Sequence, residues 1–376
     1  MKKILRIATT PQSLNTLLKG QFRFMSDYYE IVAVSSPGVH LDELSLREGI
    51  WTVSIPMERH ISIVRDFISL IRLIILFLKE RPDMVHSLTP KAGLLSMLAA
   101  WITRIPVRMH TFTGLIFPTA TGFMQKLLIM MDRITCFCAT DINPEGEGVK
   151  RDLIEYGITS KPLHIIANGN VNGIDLSYFD KTEAVVKSSQ PYRNEQLFTF
   201  CFVGRIVKDK GINELIQAFK RLYDVYSDIR LILVGSFERD LDPVLPETDE
   251  LIKTHPAITS VGFQKDIRPF LVASDAFVFP SYREGFPNVV LQAGAMGLAS
   301  IVTDINGSNE IIGPNQNGVI IPPRDANALY ESMKRFYEHR DEVKRMASNA
   351  RYMIASRYEQ HKVWNALLKE YQSLLG

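Results

Sequence analysis

Two kinds of segment alternate along the whole chain, and this rhythm limits the fold more than any other feature. Short β-branched or aromatic runs occur at KILRIAT (3–9), YEIVAVS (29–35), WTVSIP (51–56), DMVHS (83–87), VRMHTF (107–112) and ITCFCAT (134–140). Helical patterns at 61–80, 91–103 and 121–132 separate them, and LHIIANG (163–169) reads as one more strand. After the polar, proline-interrupted stretch KTEAVVKSSQPYRNE (181–195) the rhythm restarts. LFTFCFVG (197–204), IRLILVGS (229–236), ITSVG (258–262), DAFVFPS (275–281), ASIVTD (299–304) and GVIIPP (318–323) are strand-like. Helices are expected near 211–226, 266–273, 289–297 and 325–339, and over 341–375 with a break near Ser356–Arg357. Strands punctuated by helices imply βαβ units and parallel sheets covered on both faces. The chain thus reads as two α/β halves: 1–180, a linker at 181–195, 196–355, and a last helix at 356–376 that packs back on the first half. Ligands in such sheets bind at the carboxyl ends of the strands, so a site in the cleft between the halves is expected.

Length and charge narrow the function. At 376 residues two domains are expected, and a net charge of +2 gives no polyanion footprint, so nucleic acid is not an expected partner. The three cysteines fit neither a disulfide framework nor a zinc spacing; Cys136-Phe-Cys138 reads as buried strand in a protein of a reducing compartment. The start, MKKILRIATTPQ, lacks the apolar length and cleavage site of a signal peptide. The most lipid-like run, ISIVRDFISLIRLIILFLKERP (61–82), is interrupted by Arg65, Asp66 and Arg72, and a bilayer span needs about 20 apolar residues. It reads as an amphipathic helix, either buried against a sheet or lying with a basic, apolar face on a membrane surface.

Two stretches could carry chemistry. In FVGRIVKDKGINELIQAF (202–219) a strand ends at Gly204, and Arg205 and Lys210 sit in the loop that leads to a helix start. An arginine fork, a lysine point charge and free helix N–H groups together suit an anion, while the bland alternative is a solvated basic turn. The spacing is not that of a P-loop. In REGFPNVVLQAGAMG (283–297) Glu284 follows another strand end, and Asn288 is placed as the cap of a short helix beginning with Val289. That helix start favours phosphate, Glu284 favours hydroxyls such as those of a sugar, and Gln292 leans back toward the same ligand. Two such strand ends together make a cradle for a sugar diphosphate.

GRIVKDKG, followed about 75 residues later by EGFPNVVLQ, resembles the C-terminal domain of family 4 glycosyltransferases. DMVHSLTPKAGLLSMLAA (83–100), HTFTG (110–114) and NGNVNGIDLSYF (168–179) extend the resemblance over nearly the whole chain, with bacterial enzymes of capsule and O-antigen assembly as the nearest flavour. The resemblance implies the GT-B fold, two Rossmann-like domains facing across a cleft, and a retaining, nucleotide-sugar-dependent hexosyltransferase. It implies a UDP-linked donor, a polyprenyl-diphosphate-linked glycan acceptor and no metal cofactor. The expected place is the cytoplasm, peripheral on the inner membrane through helix 61–80.

Residue by residue, the resemblance puts Arg205 and Lys210 on the donor diphosphate and Glu284 near the donor sugar. Gly204, Phe286, Pro287, Asn288 and Val289 would line the donor site. The second acid of the family's Glu-x7-Glu pattern is Gln292 here, which keeps a carbonyl acceptor but loses the charge. Many relatives carry His before the glycine of the N-domain loop; this chain has Thr113 before Gly114, with His110 three residues earlier. His110, Thr113, Gly114 and Lys19 are kept as N-domain cleft residues, with Arg23 as a further acceptor-diphosphate candidate, and His86 is read as structural. Asp240 and Asp242 form an Asp-x-Asp in a charged loop and are not read as a metal site. No paired carboxylates of a glycosidase are evident. A non-hydrolysing sugar-nucleotide epimerase and a non-catalytic nucleotide-sugar-binding scaffold remain the competing readings.

Overall fold

The computed structural model describes residues 1–58, 60–239 and 242–376. Contacts divide them into two units, Met1–Gly173 with Gln360–Gly376, and Ile174–Glu359. The first contains β1 (Lys3–Ile7), α1 (Pro11–Leu17), α2 (Gln21–Ser26), β2 (Glu30–Ser35), α3 (Val39–Glu48), β3 (Trp51–Ser54), α4 (Ile63–Glu80), β4 (Met84–Leu88), α5 (Pro90–Ile102), β5 (Val107–Phe112), α6 (Gly122–Cys138), β6 (Asp141–Pro144) and α7 (Glu147–Glu155). The second contains α8 (Glu183–Ser189), β7 (Phe198–Val203), α9 (Ile212–Tyr223), β8 (Ile229–Val234), α10 (Pro246–Thr254), β9 (Ile258–Ser260), α11 (Arg268–Val272), β10 (Ala276–Phe279), α12 (Asn288–Ala295), β11 (Ala299–Thr303), α13 (Ser308–Ile311), β12 (Gly318–Ile321), α14 (Ala326–Glu338) and α15 (Arg340–Tyr358). The last helix, α16 (Gln360–Leu375), belongs to the first unit.

The described residues form two six-stranded sheets with orders β3-β2-β1-β4-β5-β6 and β12-β11-β10-β7-β8-β9, and every pairing in them is parallel. Numbered within its own unit, each sheet is the same doubly wound, Rossmann-like arrangement. Central strands such as β4, β7 and β10 are buried at every position, as expected where helices cover both faces. The edge strand β3 leaves Trp51 79% exposed. In the first unit α4, α5 and α6 pack side by side on one face of the sheet. On the other face α16 places Tyr371 against His86, with ring centroids 5.7 Å apart.

Several local expectations are corrected. Residues 134–138 are the end of α6, not a strand; Cys136 and Cys138 are buried there, and β6 begins only at Asp141. Residues 163–169 make isolated bridges rather than a ladder strand. The stretch 181–195 contains α8, whose Thr182 hydroxyl caps the Val185 N–H and whose Val185 is buried in the second unit's core. Between the last two helices the break falls at Glu359.

Candidate active site

In each doubly wound sheet the strand order reverses at one place, and the loops that leave the two strands there diverge and open a crevice. In the second unit those strands are β7 and β10. The loop after β7 carries Gly204, Arg205 and Lys210, and the loop after β10 carries Ser281 and Glu284. Gly211 starts α9 with φ +68°, and a Cβ there would lie 2.1 Å from the Pro280 carbonyl oxygen. Only glycine allows this approach of the two loops.

The close approach brings Lys210 and Glu284 together. Lys210 Nζ donates to Glu284 Oε1, and both side chains are largely buried. The Ser281 hydroxyl donates to the same Oε1 at 2.9 Å, and Lys210 Nζ lies 5.4 Å above the Phe279 ring. Arg205 points more openly to solvent, its side chain 52% exposed, and pairs with Glu238 at 2.6 Å. Around this core the loops are knitted by Arg283 Nε to Asp209 Oδ2 at 3.0 Å, and by the Tyr282 hydroxyl to Glu214 at 2.6 Å.

The Gly-Phe-Pro turn sets the start of α12. Phe286 is buried with its ring 5.4 Å from that of Tyr358. Pro287, extended at φ −74° and ψ 105°, occupies the cap position, so Asn288 is the first helical residue and not the cap. The Val289 amide then falls in the first turn, where a helix has no internal acceptor for its N–H groups. Val290 N–H turns back to the Pro287 carbonyl at 3.1 Å. The small residues that follow let α12 pack closely on α15. Gln292 is partly exposed, one turn from the helix start.

The N-domain candidates are scattered. His110 is 1% exposed, with Nδ1 2.8 Å from the Ser87 hydroxyl. Its ring fills the space where a Cβ of Gly93 would come within 2.3 Å, and burial holds its pKa down to about 3. It is a neutral core histidine beneath α5 and does not meet Thr113 or Gly114, which lie partly exposed past the strand end. His86 is also neutral and buried, bridging the Tyr371 and Thr111 hydroxyls, with its pKa lowered first by burial and then by Arg6. Lys19 and Arg23 are exposed side chains flanking the start of α2. Glu48, itself buried, accepts the Gly20 and Arg23 amides there at 2.9 and 3.1 Å.

Sequence reasoning missed Glu238 and Ser281 as partners of the cations and the carboxylate. Glu238 stands in a charged loop with no distinguishing spacing, and Ser281 only closes a strand. Among the described residues no group of three or more His, Cys, Asp or Glu side chains is arranged to hold a metal ion, and Asp240 of the Asp-x-Asp lies outside the described residues.

Comparisons with known proteins agree with this layout. A family model described as glycosyl transferases group 1 matches residues 186–353, and one described as glycosyltransferase family 4 matches residues 27–171. The chain is 32% identical over 377 residues to the capsular polysaccharide biosynthesis glycosyltransferase CapM of Staphylococcus aureus, covering 100% of this chain and 98% of that one. It is 30% identical over 286 residues to the UDP-Gal:α-D-GlcNAc-diphosphoundecaprenol α-1,3-galactosyltransferase of Escherichia coli, covering 74% and 72%. Among solved structures, a glycosyltransferase from Rickettsia africae superposes with a TM-score of 0.81 at 20% identity, over 100% of this chain and 98% of that one.

Proposed function

The chain belongs to the group 1 glycosyltransferases, and from that premise we propose that it moves a hexosyl group from a UDP-sugar to a hydroxyl of a polyprenyl-diphosphate-linked glycan. The anomeric configuration is retained, and the product is a surface polysaccharide or its lipid-linked repeat. The observation that carries the reading is the meeting of Lys210 and Glu284 across the strand ends of β7 and β10. A cation for phosphate and a carboxylate for hydroxyls stand side by side there. The Escherichia coli relative, an α-1,3-galactosyltransferase with UDP-Gal as donor and a diphosphoundecaprenol acceptor, supports the substrate classes, and the Staphylococcus aureus capsular relative supports the capsule setting.

In this reading the diphosphate replaces the carboxylates that now hold Arg205 and Lys210, and it completes its contacts on the Val289 amide at the start of α12. Glu284, released from Lys210, accepts from hydroxyls of the donor sugar. Gln292 takes the ribose, and Gly204, Phe286, Pro287, Asn288 and Val289 shape the wall. The bond between the anomeric carbon and the diphosphate oxygen breaks while the acceptor oxygen bonds to that carbon. The acceptor proton leaves with the diphosphate. Negative charge grows on the leaving group, where Arg205, Lys210 and the helix start are preorganised to stabilise it. A lipid-linked acceptor places the reaction at a membrane face, which we take to be the cytoplasmic one.

The test is direct. Purified protein is incubated with labelled UDP-hexoses and a polyprenyl-diphosphate sugar, and the products are separated and their anomeric configuration read by NMR. A labelled lipid-linked glycan with the donor's configuration supports the reading. An isomerised donor without transfer, or binding without turnover, contradicts it.

A further inference from the structure

Helix α4 is apolar on the wrong side for a helix that only covers a sheet. Its inward row is Ser69, Leu73 and Phe77, all buried. Its outward stripe, Val64, Phe67, Ile68, Ile71, Ile75 and Leu78, is between 41% and 71% exposed. Single exposed apolar side chains are ordinary, but a contiguous stripe four turns long marks a surface that something covers.

The stripe continues beyond α4. Next to it α5 exposes Trp101, whose ring lies 6.2 Å from that of Phe137 at the end of α6. On α6, Phe123 is 80%, Met130 51% and Phe137 69% exposed. Three adjacent helices therefore present one apolar field.

Charge tells what kind of partner fits. Arg65, Arg72 and Lys79 recur every seven residues and so form one row along the edge of the α4 stripe, all exposed. Lys126 and Arg133 are exposed on α6. The acids of these helices are withdrawn. Asp66 is bound by Lys91 Nζ at 2.7 and 2.9 Å, Glu80 by Lys3 at 2.9 Å, and Asp132 is partly buried within the helix layer. α5 has no acid at all. Glu58, before α4, pairs with Arg65. The face is thus apolar with cations and no outward carboxylate on its helices. A second copy would set like charges against like, with no acid to answer them. Anionic lipid headgroups complement the cations, and acyl chains complement the stripe. Long basic side chains can lie over an apolar face and still reach the headgroups. Among the described residues no helix is long and apolar enough to cross a membrane, so this contact is one of lying on the surface.

We propose that the outer faces of α4 and α6, joined by Trp101, dock flat on an anionic lipid bilayer. The proposal stands on this surface alone and does not depend on the glycosyl-transfer reading.

The experiment is flotation of the full chain with vesicles of phosphatidylglycerol and phosphatidylcholine, against phosphatidylcholine alone. Wild type should float with the anionic vesicles and far less with the neutral ones. The pair Arg72→Glu with Lys79→Glu should weaken that binding by about tenfold or more. Phe67→Ser with Ile71→Ser should weaken it comparably, and Phe123→Ser with Phe137→Ser tests the α6 half separately. All these positions are exposed, and a thermal melt verifies that each variant folds. Equal flotation with both vesicle types, or folded α4 variants that bind like wild type, would overturn the proposal. So would a solution dimer that the α4 substitutions dissociate, since the stripe would then belong to a second copy.

Discussion

Lys210 and Glu284, 74 positions apart in the chain, form an ion pair that ties the loop after β7 to the loop after β10. The pair sits where the strand order of the second sheet reverses, and the Ser281 hydroxyl donates to the same carboxylate oxygen as Lys210. Both partners of the proposed chemistry thus neutralise one another before any donor arrives. Arg205 is in the same state through Glu238. In the proposed reading, donor binding exchanges carboxylate for diphosphate, so the two ion pairs would keep the cations aimed until the donor arrives.

Glu284→Gln should separate binding from transfer. The amide no longer competes electrostatically for Lys210, so UDP alone should bind as well as or slightly better than to wild type. Turnover should fall by about 10- to 1,000-fold, because the sugar loses a charged acceptor. Calorimetric titration of UDP and a transfer assay measure the two effects. A parallel loss of both would make Glu284 a structural support of the loops.

Glu238→Gln releases Arg205. An ion pair this exposed contributes only about 0.2–1 kcal/mol, so the gain in UDP affinity should be small, roughly two- to fivefold. A loss of affinity in the same titration would show instead that Glu238 is needed to aim Arg205.

Gln292→Glu should keep activity and tighten nucleotide binding by up to about tenfold, since a charged acceptor makes stronger hydrogen bonds to hydroxyls. Comparison of UDP with 2′-deoxy-UDP localises the effect. If the variant gains nothing for UDP over the deoxy form, the side chain does not meet the ribose.

Asp132 provides a pH signature. Desolvation on α6 pushes its carboxyl up to about 7. The native chain therefore keeps a proton between about pH 4 and 7 that the unfolded chain has lost, and stability falls as pH rises through that window. Asp132→Asn removes the loss. It should stabilise by up to roughly 4 kcal/mol above pH 7 and by nothing near pH 4, as urea melts at the two pH values would show. Equal stabilisation at both would mean the carboxyl is not desolvated.

The alternation of apolar runs made both sheets legible, because a parallel strand buried on both faces cannot hide its composition. Local errors have physical causes. ITCFCAT alternates like a strand, yet Ile134 and Phe137 are exposed on a helix whose apolar outer face imitates a period of two over so few residues. Asn288 ranks above proline as a helix cap, but the fixed φ of Pro287 already supplies the extended turn. Strand ends pointed to Arg205, Lys210 and Glu284. Their partners Glu238 and Ser281 were invisible, since only the folded loops bring them within reach. His110 looked like a candidate because its loop resembles a motif, whereas its ring is spent filling the hollow over Gly93.

The central claim is that the donor diphosphate sits between Arg205, Lys210 and the start of α12. The most direct measurement is initial-rate transfer from a UDP-hexose to a polyprenyl-diphosphate sugar by Arg205→Ala and Lys210→Ala, each verified as folded. The account predicts that both lose about 100-fold or more in kcat/KM, with Lys210→Ala affected in kcat because its contact strengthens as the leaving group gains charge. Near-wild-type turnover in both variants would contradict it.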